Sequence, residues 1–212
     1  MTPARRTTVI LVRHGETEWN KLHRIQGQAD SAFTDLGERQ TTLLATRLAA
    51  VGIDAVYSSD LGRALRTAEA VANPHSLRPV PDPGLRERHF GRWEGMTLAE
   101  AREDDPEALE MWRRDLEHFR PPGAESSKQM RRRVWDTFQR LVEQRDGGCI
   151  ALVSHSGPIR QILATALAMP WPQSRRLRIA NASLTTLQVR GDNIMLVTFN
   201  DTCHLDALQS TT

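Results

Sequence analysis

Two histidines in this sequence stand where an apolar run of strand length ends. The run 9–12 is followed by Arg13 and His14, and the run 149–154 is followed by His155. Arginine guanidinium groups bind the oxygens of a tetrahedral phosphate through paired N–H donors, and a neutral histidine can attack phosphorus. These residue types therefore indicate phosphate chemistry, provided that the two strands end at the same place in the fold.

Arg63 adds a second arginine to this group. It follows the strand-like run 54–59 and stands at the start of a helical pattern. Two arginines and two histidines without an equally dense set of carboxylates need an anion to balance them. Backbone N–H groups at the helix N-terminus after His155 would give a phosphate further donors. The group as a whole predicts a phosphate-binding site.

Cleavage of a phosphate ester also needs charge neutralisation and a proton for the departing oxygen. No DxD motif or similar carboxylate cluster stands at a predicted strand end, so the arginines would neutralise the charge. We therefore expect neither a metal ion nor another cofactor. Glu16 and Glu87 are both candidates for the carboxylic acid that gives the proton, and their spacing does not decide between them.

The elements that would position these residues alternate between strands and helices. Three apolar runs of strand length, at 8–12, 54–59 and 149–154, are each followed by a segment of helical period. A final segment, 183–199, is typical of two strands joined at Gly191. This order predicts an α/β fold, a three-layer sandwich whose central sheet is mostly parallel with an antiparallel edge strand. The carboxyl ends of parallel strands meet at one edge of a sheet, which is where ligands bind.

Capping patterns predict where several helices begin. Thr34 or Asp35 would cap the helix after the first strand, and Thr97 and Ser126 each begin a capping box. Pro158 suits the first turn of the helix that follows the third strand.

The stretch 74–126 is the least regular part of the chain. It holds seven of the 11 prolines, which interrupt both helices and strands. We interpret it as an insertion of loops and short helices within a single domain over residues 1–212. Beside the carboxyl edge of the sheet, this helical and loop insertion would form a lid over the active site and determine specificity. We expect most of the five tryptophans to be core residues, and Trp93, which lies within the insertion, is also a candidate wall of the substrate pocket.

The composition limits the class of protein. The 212 residues are 39% hydrophobic and 25% charged, as in an ordinary globular domain. With 28 basic and 26 acidic residues the net charge is +2, too balanced to indicate nucleic-acid or membrane binding. The two cysteines form neither a disulfide framework nor a zinc motif. The apolar run at 9–12 is too short for a signal peptide or a membrane span, so we expect a cytoplasmic protein.

Six blocks of the sequence, taken in order, resemble the histidine phosphatase superfamily, which includes the cofactor-dependent phosphoglycerate mutases. A lone RHG motif would be weak evidence, whereas six blocks in the family's order cover nearly the whole chain. The blocks are LVRHGETEWN with RIQGQADSAFTDLGERQ, then YSSDLGRALRTAEA, LRERHFGRWEGMTLAEA, PPGAESSKQMRRRV, ALVSHSGPIRQIL and NDTCHL.

The resemblance implies a role for each residue of the predicted site. His14 would be the nucleophile that becomes phosphohistidine, and Glu87 would protonate the leaving group and later act as base for water. The phosphate pocket would be completed by Arg13, Arg63 and His155, lined by Asn20 and Gln26, and given a backbone donor at Ser156. Ser156 departs from the family's pattern, in which glycine is frequent at this position.

The superfamily performs both hydrolysis and intramolecular phosphoryl transfer, which differ in whether water reaches the phosphohistidine. Arg88, Arg113 and Arg114 lie in blocks that resemble those of the mutases, and they would bind a substrate carboxylate. Leu98, however, stands where the mutases carry a substrate-binding lysine, and the tail LDALQSTT has no basic residue to close over a bisphosphate. We therefore expect a phosphoric monoester hydrolase, with phosphoglycerate mutase-type transfer as the alternative.

The binding partner implied is a small phosphorylated metabolite. We expect neither nucleic acid nor a membrane as a partner, and the sequence does not decide whether the protein forms a homodimer. Among the phosphatases, the sequence does not choose between broad specificity and α-ribazole phosphate, phosphoserine, phosphoglycerate or a sugar phosphate as substrate. A non-catalytic phosphate-binding module is a further hypothesis, and it would predict the loss of His14, Glu87 or His155, all of which are present.

Overall fold

The centre of the molecule is a six-stranded sheet. The computed structural model describes residues 5–115, 117–145 and 147–209. Within these residues the strands are, in chain order, β1 (Thr7–Arg13), β2 (Ala55–Ser58), β3 (Val80–Pro81), β4 (Cys149–Ser154), β5 (Leu184–Arg190) and β6 (Asn193–Asp201).

Four neighbouring strands of the sheet run parallel. The spatial order is β3-β2-β4-β1-β5-β6, and the first four strands in this order pair in parallel. Strand β5 pairs antiparallel with β1, and β6 pairs antiparallel with β5. Gly191 turns the β5–β6 hairpin with a φ of 58°, a conformation that glycine adopts without strain. The sheet is therefore mostly parallel with an antiparallel hairpin at one edge, which confirms the predicted fold class.

Helices cover both faces of the sheet. Their starts follow the predicted caps: the side chains of Thr34, Thr97 and Ser126 accept hydrogen bonds from backbone N–H groups three residues ahead, and both capping boxes form. No helix of the described residues is long and apolar enough to cross a membrane. The α-helices are α1 (Glu18–Lys21), α2 (Asp35–Leu48), α3 (Gly62–Ala72), α4 (Leu98–Asp104), α5 (Pro106–Arg114), α6 (Ser127–Glu143), α7 (Ser156–Ala166) and α8 (Asp206–Gln209).

The alternation of side chains along β1 produces the three layers. Val9 and Leu11 point to one face of the sheet and pack in a cluster with residues of α6 and α7. Ile10 and Val12 point to the other face and pack with residues of α2 and α3. All four side chains are at most 5% exposed, so β1 is held on both faces and cannot shift its register without exposing apolar surface.

The register of the parallel strands brings their carboxyl ends together. Arg13 at the end of β1 pairs with Ser154 at the end of β4, and Ser58 at the end of β2 pairs with Val153. The residues that follow these strands therefore leave the sheet side by side. This is the edge at which the sequence predicts a phosphate site.

The insertion 74–126 has a small apolar core of its own. Trp93 is completely buried there with Ala101, Ala108 and Leu109. It contacts the ring of Trp112 edge to face, with the centroids 5.9 Å apart. Trp93 therefore stabilises the insertion from within, as expected of a core tryptophan, and it is not in the lining of the cavity described below. Trp112 on α5 lines the pocket instead.

Candidate active site

His14 lines a cavity of about 280 Å³ at the carboxyl edge of the sheet. The side chain is buried, and its Nδ1 lies 2.7 Å from the carbonyl oxygen of Gly15. A carbonyl oxygen can only accept a hydrogen bond, so Nδ1 carries the ring proton and Nε2 keeps its lone pair. The main chain thus holds His14 in the tautomer that a nucleophile at Nε2 requires.

His155 packs against His14 at the end of β4. The two ring centroids are 5.1 Å apart, with the ring planes at 61°. His155 Nε2 lies 2.8 Å from Ser59 Oγ, which also accepts the N–H of Leu61, so the Ser59 hydroxyl proton is available to Nε2. With Ser59 as the donor, His155 carries its own proton on Nδ1, a buried atom without a protein partner in the described chain. A phosphate oxygen beside His14 would give this N–H an acceptor.

Arg13 and Arg63 are held rigidly, and each keeps a donor unpaired. Arg13 Nη1 donates to the carbonyl of Ile179 at 2.6 Å. Arg63 Nη2 donates to the carbonyl of Gly27 at 2.7 Å. The Nε atom of each arginine is buried without a partner among the described residues. Because both arginines line the cavity, these N–H groups are available to an anion bound beside His14.

Asp30 orients Arg63, a role that the sequence analysis did not identify. Its Oδ1 accepts from Arg63 Nη1 at 2.7 Å, and its Oδ2 accepts from the backbone N–H of Gly62 at 2.7 Å. Leu61, the capping residue of α3, makes no side-chain hydrogen bond, so the Asp30 carboxylate caps that helix from a distant loop. Asp30 and Arg63 are 33 positions apart in the sequence, which explains why their spacing gave no signal.

Glu87 reaches the cavity from the insertion. Its Oε1 accepts the backbone N–H of Arg88 at 2.8 Å, and its Oε2 accepts the backbone N–H of Gly157, in the first turn of α7, at 3.0 Å. Glu16, the other candidate acid, accepts the Thr34 hydroxyl at 2.8 Å and does not line the cavity. The geometry therefore favours Glu87 over Glu16 as the proton donor.

Gly157 has no side chain, and the Glu87 carboxylate occupies the space where a Cβ would lie. A Cβ at position 157 would overlap Glu87 Oε1, whereas a Cβ at Gly52 would meet no atom within 4 Å. We expect Gly157→Ala to displace the carboxylate and lower kcat for alkyl phosphate esters by about 100-fold, because catalytic groups tolerate little misplacement. Initial rates would measure this, with Gly52→Ala as the matched control. Unchanged kcat in Gly157→Ala would contradict the importance of the Glu87 position.

Asn20, Gln26 and Ser156 also line the cavity, as the resemblance implied. Asn20 Oδ1 accepts from the Thr17 N–H at 3.2 Å and from Asn181 Nδ2 at 3.0 Å. Asn181 Nδ2 also donates to the carbonyl of His14 at 3.1 Å, so one amide connects His14 to Asn20. Asn181 lies outside the six sequence blocks, so only the folded structure identifies it as a residue that contacts the site.

The structure separates the three arginines that were expected to bind a substrate carboxylate. Arg88 lines the cavity, but its guanidinium donates to the carbonyls of Glu125 and Phe119 and to the hydroxyl of Ser127. Arg113 and Arg114 are exposed on α5 and do not line the cavity. The expectation that Arg113 and Arg114 bind a substrate carboxylate is therefore corrected, because α5 presents Trp112 to the cavity and leaves these two arginines exposed.

Positive charge dominates the lining of this cavity. Its described lining includes a single carboxylate, that of Glu87, and six arginines: Arg13, Arg24, Arg63, Arg88, Arg160 and Arg175. Arg160 and Arg175 were missed, although Arg160 stands four residues after Ser156 and so shares its helix face. In the described ranges, no group of three or more His, Cys, Asp or Glu side chains is placed to hold a metal ion.

Burial and this positive charge keep both histidine rings neutral. Desolvation, followed by the charges of Arg63 and Arg13, lowers the pKa of His14 well below its usual value. Desolvation and Arg63 lower the pKa of His155 in the same way. Burial also lowers the pKa of Arg13 to about 10, so this arginine is still protonated at neutral pH. The site therefore combines two neutral imidazole rings with positively charged surroundings.

The neutral histidines make folding stability depend on pH. Unfolding releases both rings to protonate near their usual pKa of about 6.5, so below that pH the unfolded chain binds more protons than the folded one. We expect the free energy of unfolding to fall between about pH 6.5 and pH 5.5, by up to about 1 kcal/mol per pH unit for each ring. Urea titrations at several pH values would measure the free energy of unfolding. The free energy of unfolding of His14→Asn should depend less on pH than that of the unmodified protein. An equal dependence in both proteins would contradict the neutral state of His14.

Comparison with known proteins gives one consistent result. The chain matches the model of the histidine phosphatase superfamily (branch 1) over residues 9–202. It is 37% identical over 207 residues to the probable phosphoglycerate mutase GpmB of Yersinia pestis, which covers 93% of this chain and 94% of that protein.

Solved structures agree with this match. YhfR of Bacillus stearothermophilus is similar with a TM-score of 0.88 at 32% identity, over 94% of this chain and 99% of that one. A mycobacterial glucosyl-3-phosphoglycerate phosphatase in complex with VO3 is similar with a TM-score of 0.82 at 32% identity, over 94% of this chain and 100% of that one. The similarity therefore extends over nearly the whole length of each chain.

Proposed function

The chain belongs to the histidine phosphatase superfamily (branch 1), and from this premise we propose that it hydrolyses small phosphate monoesters through a phosphohistidine on His14, without a metal ion. The observation that carries the proposal is the tautomer of His14. Its Nδ1–H is bonded to the Gly15 carbonyl, which leaves the Nε2 lone pair free at the base of an arginine-lined cavity.

In the first step, His14 Nε2 attacks phosphorus as the bond from phosphorus to the ester oxygen breaks. The Glu87 carboxylic acid gives its proton to that oxygen, so the alcohol leaves neutral. Arg13 and Arg63 direct unpaired N–H groups at the charge that builds on the phosphoryl oxygens, and they are held there before the reaction. These arginines supply the neutralisation for which other phosphoryl-transfer enzymes use Mg²⁺, which supports the proposal of metal independence.

In the second step, Glu87 acts in its ionised form. It takes a proton from water as the water oxygen attacks the phosphohistidine, and the bond between phosphorus and Nε2 breaks. Inorganic phosphate leaves, His14 is neutral again, and Glu87 regains its proton. The two backbone N–H groups that bond the Glu87 oxygens hold the same carboxyl group in place for both steps.

Phosphoryl transfer of the phosphoglycerate mutase type is the second candidate, and the name of the Yersinia pestis relative favours it. In that reaction a second hydroxyl of the bound substrate replaces water. The glucosyl-3-phosphoglycerate phosphatase among the similar structures favours hydrolysis. Leu98 supports hydrolysis as well, because it is 50% exposed on α4, outside the cavity, and offers no charge to a second phosphate.

A panel of phosphate monoesters, assayed with and without EDTA, tests the proposal. The panel contains p-nitrophenyl phosphate, glycerol 3-phosphate, phosphoserine, 3-phosphoglycerate, a sugar phosphate and α-ribazole phosphate. We expect phosphate release from at least one ester at a rate that EDTA does not change. Loss of activity in EDTA would contradict metal independence, and interconversion of 2- and 3-phosphoglycerate faster than their hydrolysis would favour the mutase.

A further inference from the structure

The lining of the cavity contains two arginines that the proposed phosphate chemistry does not use. Arg160 lies on α7, one helical turn after Ser156, and its Nε donates to the carbonyl of Leu177 at 2.8 Å. Arg175 lies two residues before Leu177, and its guanidinium stacks over the ring of Trp112 at 5.3 Å from the centroid. In the described part of the chain, neither forms an ion pair with a carboxylate, although Glu87 lies close enough to Arg160 to affect its pKa.

Three buried polar atoms of residues that line the same cavity have no protein partner among the described residues. They are the hydroxyl of Ser174, the Oε1 of Gln161 and the indole N–H of Trp112. The Ser174 and Gln161 side chains are at most 2% exposed, and all three residues line the cavity. Buried polar groups are nearly always paired, so this region is constructed to hold a polar group that the protein does not provide.

We propose that Arg160, Arg175 and Ser174 form a subsite for a carboxylate on the same small molecule whose phosphate lies at His14. The proposal rests on the proposed function and names its substrate class, a phosphate monoester of a carboxylic acid. Two guanidinium forks and a hydroxyl donor match the acceptor oxygens of a carboxylate. The Gln161 Oε1 would accept from a hydroxyl or ammonium group on the neighbouring carbon.

The spacing along α7 suits a short substrate. Residues four apart on a helix have side-chain origins about 5–6 Å from each other, so Arg160 stands roughly that far outward from Ser156 at the phosphate end. A carboxylate two carbons from the ester oxygen reaches such a distance. Trp112 lines the cavity and its ring lies against the Arg175 guanidinium, so it would shield one side of the bound acid from water.

Binding to the His14→Ala variant tests the subsite apart from catalysis, because intact esters persist without the proposed nucleophile. Phosphoserine and phosphoethanolamine differ only in the carboxylate, and calorimetry would compare their affinities. We expect phosphoserine to bind at least about 10-fold more tightly, as charge-assisted hydrogen bonds allow. Adding Arg160→Gln or Arg175→Gln should reduce this preference to about twofold. Arg132→Gln is the matched control, since Arg132 is 86% exposed on α6.

The pair 3-phosphoglycerate and glycerol 3-phosphate gives a second comparison, with a hydroxyl in place of the amine and a hydroxymethyl group in place of the carboxylate. In the enzyme that retains His14, kcat/KM for the acid divided by kcat/KM for its analogue gives a second measure of the preference. We expect Arg175→Gln to lower this ratio by raising KM for the acid. Equal affinity within both pairs, or a preference that survives both substitutions, would overturn the subsite. A preference lost instead on replacing Arg113 and Arg114 would overturn it as well. Hydrolysis that depends on His14 but shows no carboxylate preference leaves the proposed function standing and rejects only the subsite.

Discussion

Replacing His14 with alanine is expected to lower phosphate release from every monoester substrate by about 10⁴-fold or more. The substitution removes the Nε2 lone pair, and loss of a nucleophile abolishes the two-step route while binding residues remain. Initial rates of phosphate release would measure the loss. The loss should be in kcat, because Arg13 and Arg63 still hold the phosphate.

A matched control for His14→Ala is His118→Ala. His118 lies on the surface of the insertion, where its side chain is 60% exposed and contacts Asp115. Its replacement should leave kcat within about twofold of the unmodified enzyme, as is usual for an exposed side chain. A His14→Ala protein that is folded and keeps more than about one hundredth of the activity would contradict the assignment of the nucleophile.

Glu87→Gln is expected to lower activity in a way that depends on the leaving group. For glycerol 3-phosphate, the departing alkoxide needs a proton, so we expect a loss in kcat of about 10²–10⁴-fold, the usual size of general acid catalysis. For p-nitrophenyl phosphate, the departing p-nitrophenolate is a stable anion, so phosphorylation of His14 should change little. Rapid-mixing measurements of the first turnover with both substrates would show the difference.

Glu16→Gln is the control for this comparison, because Glu16 is the second acid that the sequence offered. It accepts the Thr34 hydroxyl outside the cavity, so any effect of its replacement should be the same for both leaving groups. Equal losses with both esters in Glu87→Gln would contradict its role as acid. A loss that depends on the leaving group in Glu16→Gln would transfer that role to Glu16.

The fold was largely predictable because its signals are local. The continuous apolar run at 9–12, the capping boxes at Thr97 and Ser126, and the hairpin at Gly191 each involve residues close in sequence. Strand β3, with only two residues, gave no periodic signal and was not predicted. The parallel order then placed the strand ends together without any side-chain detail.

The surroundings of the site were less predictable because they depend on contacts between distant residues. Glu87 meets Gly157 across 70 residues, and only the folded chain shows that the glycine makes room for the carboxylate. Arg113 carries the positive charge that would bind a carboxylate and lies in a block that resembles the mutases, yet its position on α5 exposes it to solvent. Arg175 gave no signal, since its role follows from the packing of the segment after α7 against Trp112.

The most direct test of the central claim is the pre-steady-state reaction of Glu87→Gln with p-nitrophenyl phosphate. This ester needs no acid to form phosphohistidine, whereas water needs the Glu87 base to hydrolyse it, so the phosphorylated enzyme should accumulate. We predict a burst of one p-nitrophenolate per active site, with acid-labile, alkali-stable phosphate on His14 by mass spectrometry. Steady release without a burst, or phosphate on any residue other than His14, would contradict the phosphohistidine mechanism.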